Sequence, residues 1–261
     1  MTIRLIFLCL ILPVSIQGHT QTDEEELRFY DVEVIIFKNL RGPKSRELIL
    51  PVSSPSRGKE ILDIASPASV KKAKQKSYLL LGSEQLKLHD HVEKIVKSPN
   101  YELLTHIGWR QPGLSLEESI PVWIRGGKIF GKEYVSIDNR MPGLTNNDGN
   151  KVNTPDTSRN LNRKIYELEG KITVSLSRYL HTHADFVLRQ PRLSLTDVEN
   201  SDSPIMTNRE ITKAYILDNH SLKERRRMRS KSLHYLDSPE FSLLVLITPH
   251  KTEPDDSVEA Q

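Results

Sequence analysis

The stretch SLKERRRMRSKSLHYLDSPEFSLLVLITP, from Ser221 to Pro249, contains two runs of opposite character. The tripeptide Asp237-Ser238-Pro239 between them is a polar turn signal, which favours a β-hairpin in which one run folds back on the other. The return run, Phe241 to Thr248, is continuously apolar and rich in branched residues, as is typical of a strand covered on both faces. We therefore predict that the sheet of this protein is built on this hairpin.

The outgoing run, from Leu222 to Tyr235, is unusually basic. Side chains of an extended strand alternate between its two faces, so every second residue shares a side. If the run is one strand, one side carries a ladder of cations: Lys223, Arg225, Arg227, Arg229 and Lys231. Burying such a ladder without partners would cost more than a domain's net stability. The ladder must therefore be paired with acids, solvated, or used to bind an anionic partner.

Further strands are predicted along most of the chain, with one clear helix. The longest pattern follows Lys164, where apolar residues occupy even positions up to Leu188, and we expect this strand to be bent or divided near Arg178. Other predicted elements are a strand over 27–38, a helix over 84–97 with Leu88, Val92, Ile95 and Val96 on its apolar stripe, a strand over 101–110, and strands over 120–129 and 132–137 that pair with each other. The pattern predicts an α+β fold: a single domain built on an antiparallel β-sheet with one or two helices and long polar loops.

The first residues have the layout of a secretory signal peptide. Arg4 precedes an apolar core from Leu5 to Leu12, which Pro13 interrupts before small and polar residues. We predict a signal peptide over 1–18 and a single domain over 19–250, with irregular loops at 41–77, 136–163 and 192–212. An acidic, disordered tail is expected at 251–261. No membrane span is expected after cleavage, and the single cysteine, Cys9, lies within the signal segment, so no disulfide is expected.

The overall charge does not identify a partner. The formal net charge is +3 at pH 7, so only the clustering of cations in the last third of the chain indicates an anionic ligand. A secreted protein does not normally meet nucleic acid, and we expect no nucleic-acid partner. The cell wall and the membrane surface remain as candidate anionic partners.

Motifs for enzymatic chemistry are weak. His181, His183 and Asp185 share one strand face and are potential metal ligands, but no further ligand follows at a recognisable spacing, and cross-strand pairing explains them as well. Ser56 and Ser69 are each followed three residues later by a lysine, as in a cell-wall transpeptidase, but no Lys-Thr-Gly strand accompanies them and we reject this interpretation. We predict a non-enzymatic protein with no metal and no cofactor, although paired acids for glycoside hydrolysis have no local signature.

Both tryptophans are followed closely by an arginine. Trp109 precedes Arg110, and Trp123 lies two residues before Arg125. Indole faces stack on sugar rings and guanidinium groups bind carboxylates, so these pairs are candidate glycan contacts. The alternative is that both indoles are core residues. For the cation ladder, the alternative to ligand binding is neutralisation across the sheet by Glu167 and Glu169, which face away from the apolar side of their own strand.

Four segments together resemble the CsiV family of periplasmic peptidoglycan-binding proteins. They are YDVEVIIFKN, LLTHIGWRQPG, LEGKITVSLSRYLHTHADFVL and RRMRSKSLHYLDSPEFSLLVLITP, in that order along the chain. The resemblance implies a non-enzymatic periplasmic protein that binds peptidoglycan. It also implies dependence on a class A penicillin-binding protein, which is a peptidoglycan synthase, and on the outer-membrane lipoprotein that activates this synthase.

The expected function is therefore peptidoglycan binding in support of cell-wall synthesis. Stem peptides supply carboxylates for arginines, and glycan chains supply apolar sugar faces for aromatic rings. The expected ligand-binding residues are Trp109, Arg110, Gln111, Arg225, Arg227, Arg229 and Tyr235. Two alternatives stay open: an envelope peptidoglycan hydrolase or amidase, and an envelope protein that binds anionic lipid.

Overall fold

The structure is a computed structural model that describes residues 27–41, 54–58, 60–131, 134–136, 164–197 and 211–251. Within these residues the chain forms two five-stranded sheets and two α-helices, which confirms the predicted α+β class but divides the strands between two sheets. The strands are β1 Phe29–Asn39, β2 Leu79–Leu80, β3 Tyr101–Pro112, β4 Val122–Phe130, β5 Tyr134–Ser136, β6 Ile165–Leu176, β7 Leu180–Asp197, β8 Ile211–Met228, β9 Leu233–Asp237 and β10 Phe241–His250. The helices are α1 Pro67–Gln75 and α2 His89–Lys97.

Sheet A has the strand order β2-β3-β1-β10-β9 and is antiparallel throughout. Its central strand, β1, is buried on both faces because both parities of its sequence are apolar. Even residues such as Val32 and Val34 face the main core, whereas Ile35 and Phe37 pack with Leu88 and Ile95 beneath α2. Apolar side chains are therefore packed on both faces of this sheet.

Sheet B has the strand order β4-β6-β7-β8-β5, and all pairs except β5 with β8 are antiparallel. The predicted division near Arg178 is confirmed: Leu176 and Leu180 are paired, and Ser177, Arg178 and Tyr179 form the turn. A three-residue turn pairs even positions with even positions, so the apolar pattern continues on one face through both strands.

The two sheets share one hydrophobic core. Its buried members include Val34 and Val245 from sheet A and Ile172, Phe186 and Leu222 from sheet B. Burial of each such side chain stabilises the fold by roughly 1.5–3 kcal/mol. The opposite face of each sheet therefore points away from this core, and these surfaces are called the outer faces below.

The predicted hairpin is only partly correct. The turn at Asp237-Ser238-Pro239 is confirmed, with the backbone N–H of Ser238 donating to the carbonyl of Phe241 at 3.0 Å. The outgoing run, however, is not one strand, because β8 ends at Met228 in sheet B and β9 begins at Leu233 in sheet A. Lys231 between them has a φ of 62°, a left-handed conformation that takes the chain from one sheet to the other. Both runs alternate with period two, so the sequence pattern alone does not show this change of sheet.

Three other predictions needed correction. The strand over 132–137 does not pair with the strand over 120–129: β4 pairs with β6, and β5 pairs in parallel with β8 at the far edge of sheet B. Gly127, with a φ of 68°, lies in a bulge within β4. The helix begins at His89 instead of 84, and Val96 is 63% exposed, so it is not part of the apolar stripe.

The predicted loops are shorter than expected where the structure describes them. The 41–77 segment contains α1, and strands β7 and β8 extend into the 192–212 segment as far as Asp197 and from Ile211. The predicted signal peptide, residues 137–163 of the predicted loop and residues 252–261 of the tail lie outside the described residues. No helix in the described ranges is both long and apolar enough to cross a membrane.

Candidate anion-binding surface

Cations of β8 lie on the outer face of sheet B. Lys223, Arg225 and Arg227 are exposed, whereas Leu222 and Met228, which flank this run, are 3% exposed and belong to the core. The alternation of a strand thus places these cations on one side and the apolar anchors on the other. This part of the predicted ladder is present, and it is solvated.

The neighbouring strands continue the polar surface. In β7, His181 is opposite Arg227, His183 is opposite Arg225, and Asp185 is opposite Lys223. Directly opposed residues in an antiparallel pair point to the same side, so these side chains share the outer face with the cations. We call this surface the basic face, and define it by Lys223, Arg225, Arg227, His181 and His183.

An aromatic ring borders the basic face at the β6–β7 turn. Tyr179 is 43% exposed, and the guanidinium carbon of Arg227 lies 4.6 Å from the centre of its ring. Arg178 lies 5.5 Å from the same ring. These cation–π contacts limit the positions that the Arg227 side chain takes at an otherwise open surface.

The two acids proposed as alternative partners of the ladder, Glu167 and Glu169, are engaged elsewhere. Glu167 forms an ion pair with Lys38 at 2.6 Å, and Glu169 forms one with Arg189 at 2.7 Å. In the described part of the chain, Lys223, Arg225 and Arg227 form no ion pair within 4.0 Å. The cations of the basic face are therefore available to an external anion.

His183 lies in the middle of this positive surface. Burial lowers the pKa of His183 below its ordinary value, and the charge of Arg225 and the ring of His181 lower it further. Its Nε2 atom is buried and has no hydrogen-bond partner in the described structure. Burial and the nearby positive charges therefore both favour the neutral form of the imidazole.

A segment of the chain covers the other half of the outer face. The carbonyl of Ser56 accepts a hydrogen bond from Nζ of Lys171 at 2.7 Å, and the Arg57 guanidinium lies 4.6 Å from the centre of a Trp123 ring. Trp123 is 1% exposed and is a buried residue. The open part of the outer face is thus the part formed by β7 and β8.

Two of the expected ligand-binding residues are buried between the sheets. Trp109 is 0% exposed and Gln111 is 2% exposed. The indole N–H of Trp109 donates to Oε1 of Gln111 at 2.8 Å, and Nε2 of Gln111 donates to the carbonyl of Val174 at 2.9 Å. Since neither ring face of Trp109 reaches the surface, we do not include Trp109 or Gln111 in the candidate surface.

Two more of the expected residues lie on the outer face of sheet A. Nε of Arg110 donates to Asp31 at 2.7 Å, and a second contact from the same guanidinium measures 3.2 Å. The Tyr235 hydroxyl donates to Asp237 at 2.9 Å and contacts Ser242 at 2.9 Å. Arg110 and Tyr235 therefore point away from Arg225 and Arg227.

Arg229, the last of the expected residues, lies beyond the end of β8 in the connection to β9. Its side chain is exposed, and its backbone N–H donates to Nε2 of His234 at 2.9 Å. Of the seven expected residues, only Arg225 and Arg227 lie on the outer face of sheet B. The structure adds His181, His183, Lys223 and Tyr179, and the odd parity that both histidines share with the arginines was the available signal.

Other features of the described structure suit a ligand less well. A cleft of about 580 Å³ lies along β3 and β4, but its Arg125 forms an ion pair with Asp63 and donates to the Tyr166 hydroxyl at 3.4 Å. These charges satisfy each other. Among the described residues, no group of three or more His, Cys, Asp or Glu side chains is arranged to hold a metal ion.

Two of the comparisons with known proteins give no information about function. No curated protein matches. One similar solved structure is the InvG secretin domain beta-barrel from the Salmonella SPI-1 injectisome NC-base, with 6% identity and a TM-score of 0.29. The match covers 89% of this chain and 66% of that one, and a similarity this weak supports no inference about function.

The family comparison covers nearly the whole chain. A family model described as "Peptidoglycan-binding protein, CsiV" matches residues 2–250. The match includes both sheets and every strand of the basic face. The chain belongs to the CsiV family of peptidoglycan-binding proteins.

Proposed function

We propose that this protein is a non-enzymatic, periplasmic peptidoglycan-binding protein whose basic face binds the carboxylates of stem peptides. The observation that carries the proposal is the exposure of Lys223, Arg225 and Arg227 on one face without ion-pair partners in the described structure. Membership of a peptidoglycan-binding family indicates which polymer is bound, and the basic face has the positive charge that complements its carboxylates.

The spacing of the cations suits a polymer with repeated carboxylates. Alternate residues of one strand lie roughly 6.5–7 Å apart, so neighbouring arginines reach separate carboxylates of a stem peptide. Each charge-assisted hydrogen bond contributes about 1.5–3 kcal/mol. Because the side chains are exposed, salt weakens these contacts, and we expect binding to be stronger at low ionic strength.

The proposed biological role is to support a class A penicillin-binding protein through its outer-membrane lipoprotein activator. A protein held on the wall near the synthase raises the local concentration of its partners. The test is a synthesis assay with purified synthase and activator, with and without this protein. A rate that this protein leaves unchanged, together with no detectable contact with either partner, would contradict the role.

The binding proposal is tested by sedimentation with purified sacculi. Wild-type protein should pellet with sacculi at low salt and be released as salt increases. The double variant R225S/R227S should lose most of this binding. The matched control is K71S/K74S, which removes the same charge from exposed positions of α1, far in sequence from the basic face, and should bind like wild type.

Four outcomes would contradict the proposal or part of it. If wild-type protein stays in the supernatant at low salt, peptidoglycan binding is contradicted; if R225S/R227S binds like wild type, the site is wrong. Flotation with anionic vesicles separates wall binding from lipid binding, since a wall-binding protein should not follow the vesicles. Release of soluble fragments from sacculi would instead indicate a hydrolase or amidase.

A further inference from the structure

We infer that His183 is part of the proposed carboxylate-binding site and takes up a proton when a carboxylate binds beside Arg225. The inference rests on the proposed function and adds a residue and a pH dependence to it. Three features of the structure lead to it: the position of His183, the buried Nε2 atom that has no partner in the described structure, and the charges that face the ring.

The position of His183 is central. It lies directly across from Arg225 of β8 on one side and from Thr173 of β6 on the other. His181 and Asp185 are its neighbours on the same face of β7. A carboxylate that binds Arg225 therefore approaches the imidazole ring of His183 as well.

The ring has an unused hydrogen-bonding position. Its buried Nε2 has no partner in the described structure, while the ring as a whole is half-buried. Arg225, which is opposite His183, is exposed, so a ligand oxygen reaches its guanidinium from solvent beside the ring. A protonated imidazole has two N–H donors, and a carboxylate is the acceptor that the free protein lacks at this position.

The charged groups that face His183 favour the neutral form of its ring in the free protein. The cations are Arg225, Arg227 and Lys223 on β8 and Lys171 on β6, and the titratable neighbours on β7 are His181 and Asp185. The facing residues of β6, Thr173 and Ser175, carry no charge. Burial and the nearby positive charges together lower the pKa of His183 in the free protein.

A bound carboxylate reverses this balance. Its negative charge offsets Arg225 and favours the imidazolium, so the pKa of His183 is higher in the complex than in the free protein. A proton from solvent balances the new charge. By linkage, affinity is highest at low pH, where His183 is protonated in both states, and falls as pH rises through the pKa of the bound form.

The experiment uses the disaccharide tetrapeptide released from sacculi by a muramidase. Its affinity for full-length mature protein is measured by calorimetry at pH 5.5 and pH 7.5, and the His183 ring is titrated by NMR with and without ligand. We expect affinity to rise by about threefold or more at pH 5.5 and the His183 pKa to rise on binding. H183Q should bind with little change between the two pH values.

The matched control is H181Q, which removes the other histidine of the face and should keep most of the pH dependence. The same pH dependence in H183Q and wild type, or an unchanged His183 pKa on binding, would overturn the inference. The NMR titration of the wild-type protein stands even if H183Q folds poorly. Absence of binding at both pH values would instead contradict the proposed function, so the two failures are distinguishable.

Discussion

Gln111 connects the two sheets through Val174. Its Nε2 atom donates to the carbonyl of Val174 in β6 at 2.9 Å, while its Oε1 atom accepts the indole N–H of Trp109 at 2.8 Å. Both partners are within a core formed by sheets A and B. One buried carboxamide thus satisfies a donor and an acceptor that water does not reach.

Replacement of this carboxamide should destabilise the fold strongly. Q111A leaves the Trp109 N–H and the Val174 carbonyl buried without partners, and we expect a loss of about 2–4 kcal/mol in the free energy of unfolding. Urea denaturation measures it. The control is Q190A, because Gln190 is only half-buried and contacts Glu240 at 3.4 Å. Equal losses in both variants would contradict the role of Gln111.

A second prediction concerns Glu33 beneath α2. Burial alone would raise the pKa of Glu33, but hydrogen bonds from His106 and from the backbone N–H groups of Lys87 and Leu88 lower it overall. Because the folded pKa is lowered, Glu33 stabilises the fold above its ordinary pKa and loses this contribution as pH falls through the folded value. Wild-type stability should therefore decline below about pH 4.5.

The measurement is the urea midpoint of wild type and E33Q as a function of pH. E33Q should be less stable by about 1–3 kcal/mol near pH 7, and the difference should shrink in acid, where wild-type Glu33 is protonated too. E93Q is the control, since Glu93 forms only an exposed pair with Lys97 at 2.9 Å. A difference that stays constant with pH would show that the Glu33 charge is not responsible.

The sequence was sufficient for most of the strands and for the buried face of β6 and β7, but not for the arrangement of strands in sheets. Alternation at even positions of β6 and β7 predicted the buried residues Leu168, Ile172 and Phe186 because side-chain parity is a local property. The chain passes from β8 to β9 through Lys231, which has a positive φ. A lysine in the sequence does not predict a positive φ. Long-range pairing, such as β5 with β8, has no local signal at all.

The candidate site shows the same limit. The cations of β8 were evident from their spacing, and so were His181 and His183, but the direct pairing of His183 with Arg225 required the register between two strands. The motif around Trp109 misled because Trp, Arg and Gln are also suited to a ligand surface, whereas Trp109 and Gln111 serve each other inside the core. Burial could not be read from a strand whose two faces are both partly covered.

A third prediction concerns Gly127 in the bulge of β4. Its φ is 68°, and a Cβ atom there would lie 2.6 Å from Oε2 of Glu167, which accepts the backbone N–H of Lys128 and pairs with Lys38. G127A should destabilise the fold by about 1–3 kcal/mol through strain and displacement of Glu167.

The control for G127A is G58A. Gly58 has a similar φ of 66°, but a Cβ atom there would meet nothing within 4 Å. G58A therefore reports the backbone strain alone, and thermal denaturation of both variants separates the two contributions. If both variants lost the same stability, contact with Glu167 would not contribute.

The last prediction separates the basic face from simple net charge. Arg226 lies between Arg225 and Arg227 in sequence, but it is opposite Thr182, a core-side residue, and its guanidinium donates to the carbonyl of Tyr235 in sheet A. R225S and R226S remove the same charge from adjacent positions of one strand. Only R225S removes it from the outer face of sheet B, so only R225S should weaken binding to sacculi, by about tenfold or more.

R226S should lose at most about 1 kcal/mol of stability because its contact is exposed. The measurement is sedimentation of both variants with sacculi at equal salt. If both variants bound equally weakly, binding would depend on the total charge of the strand and not on one face of it.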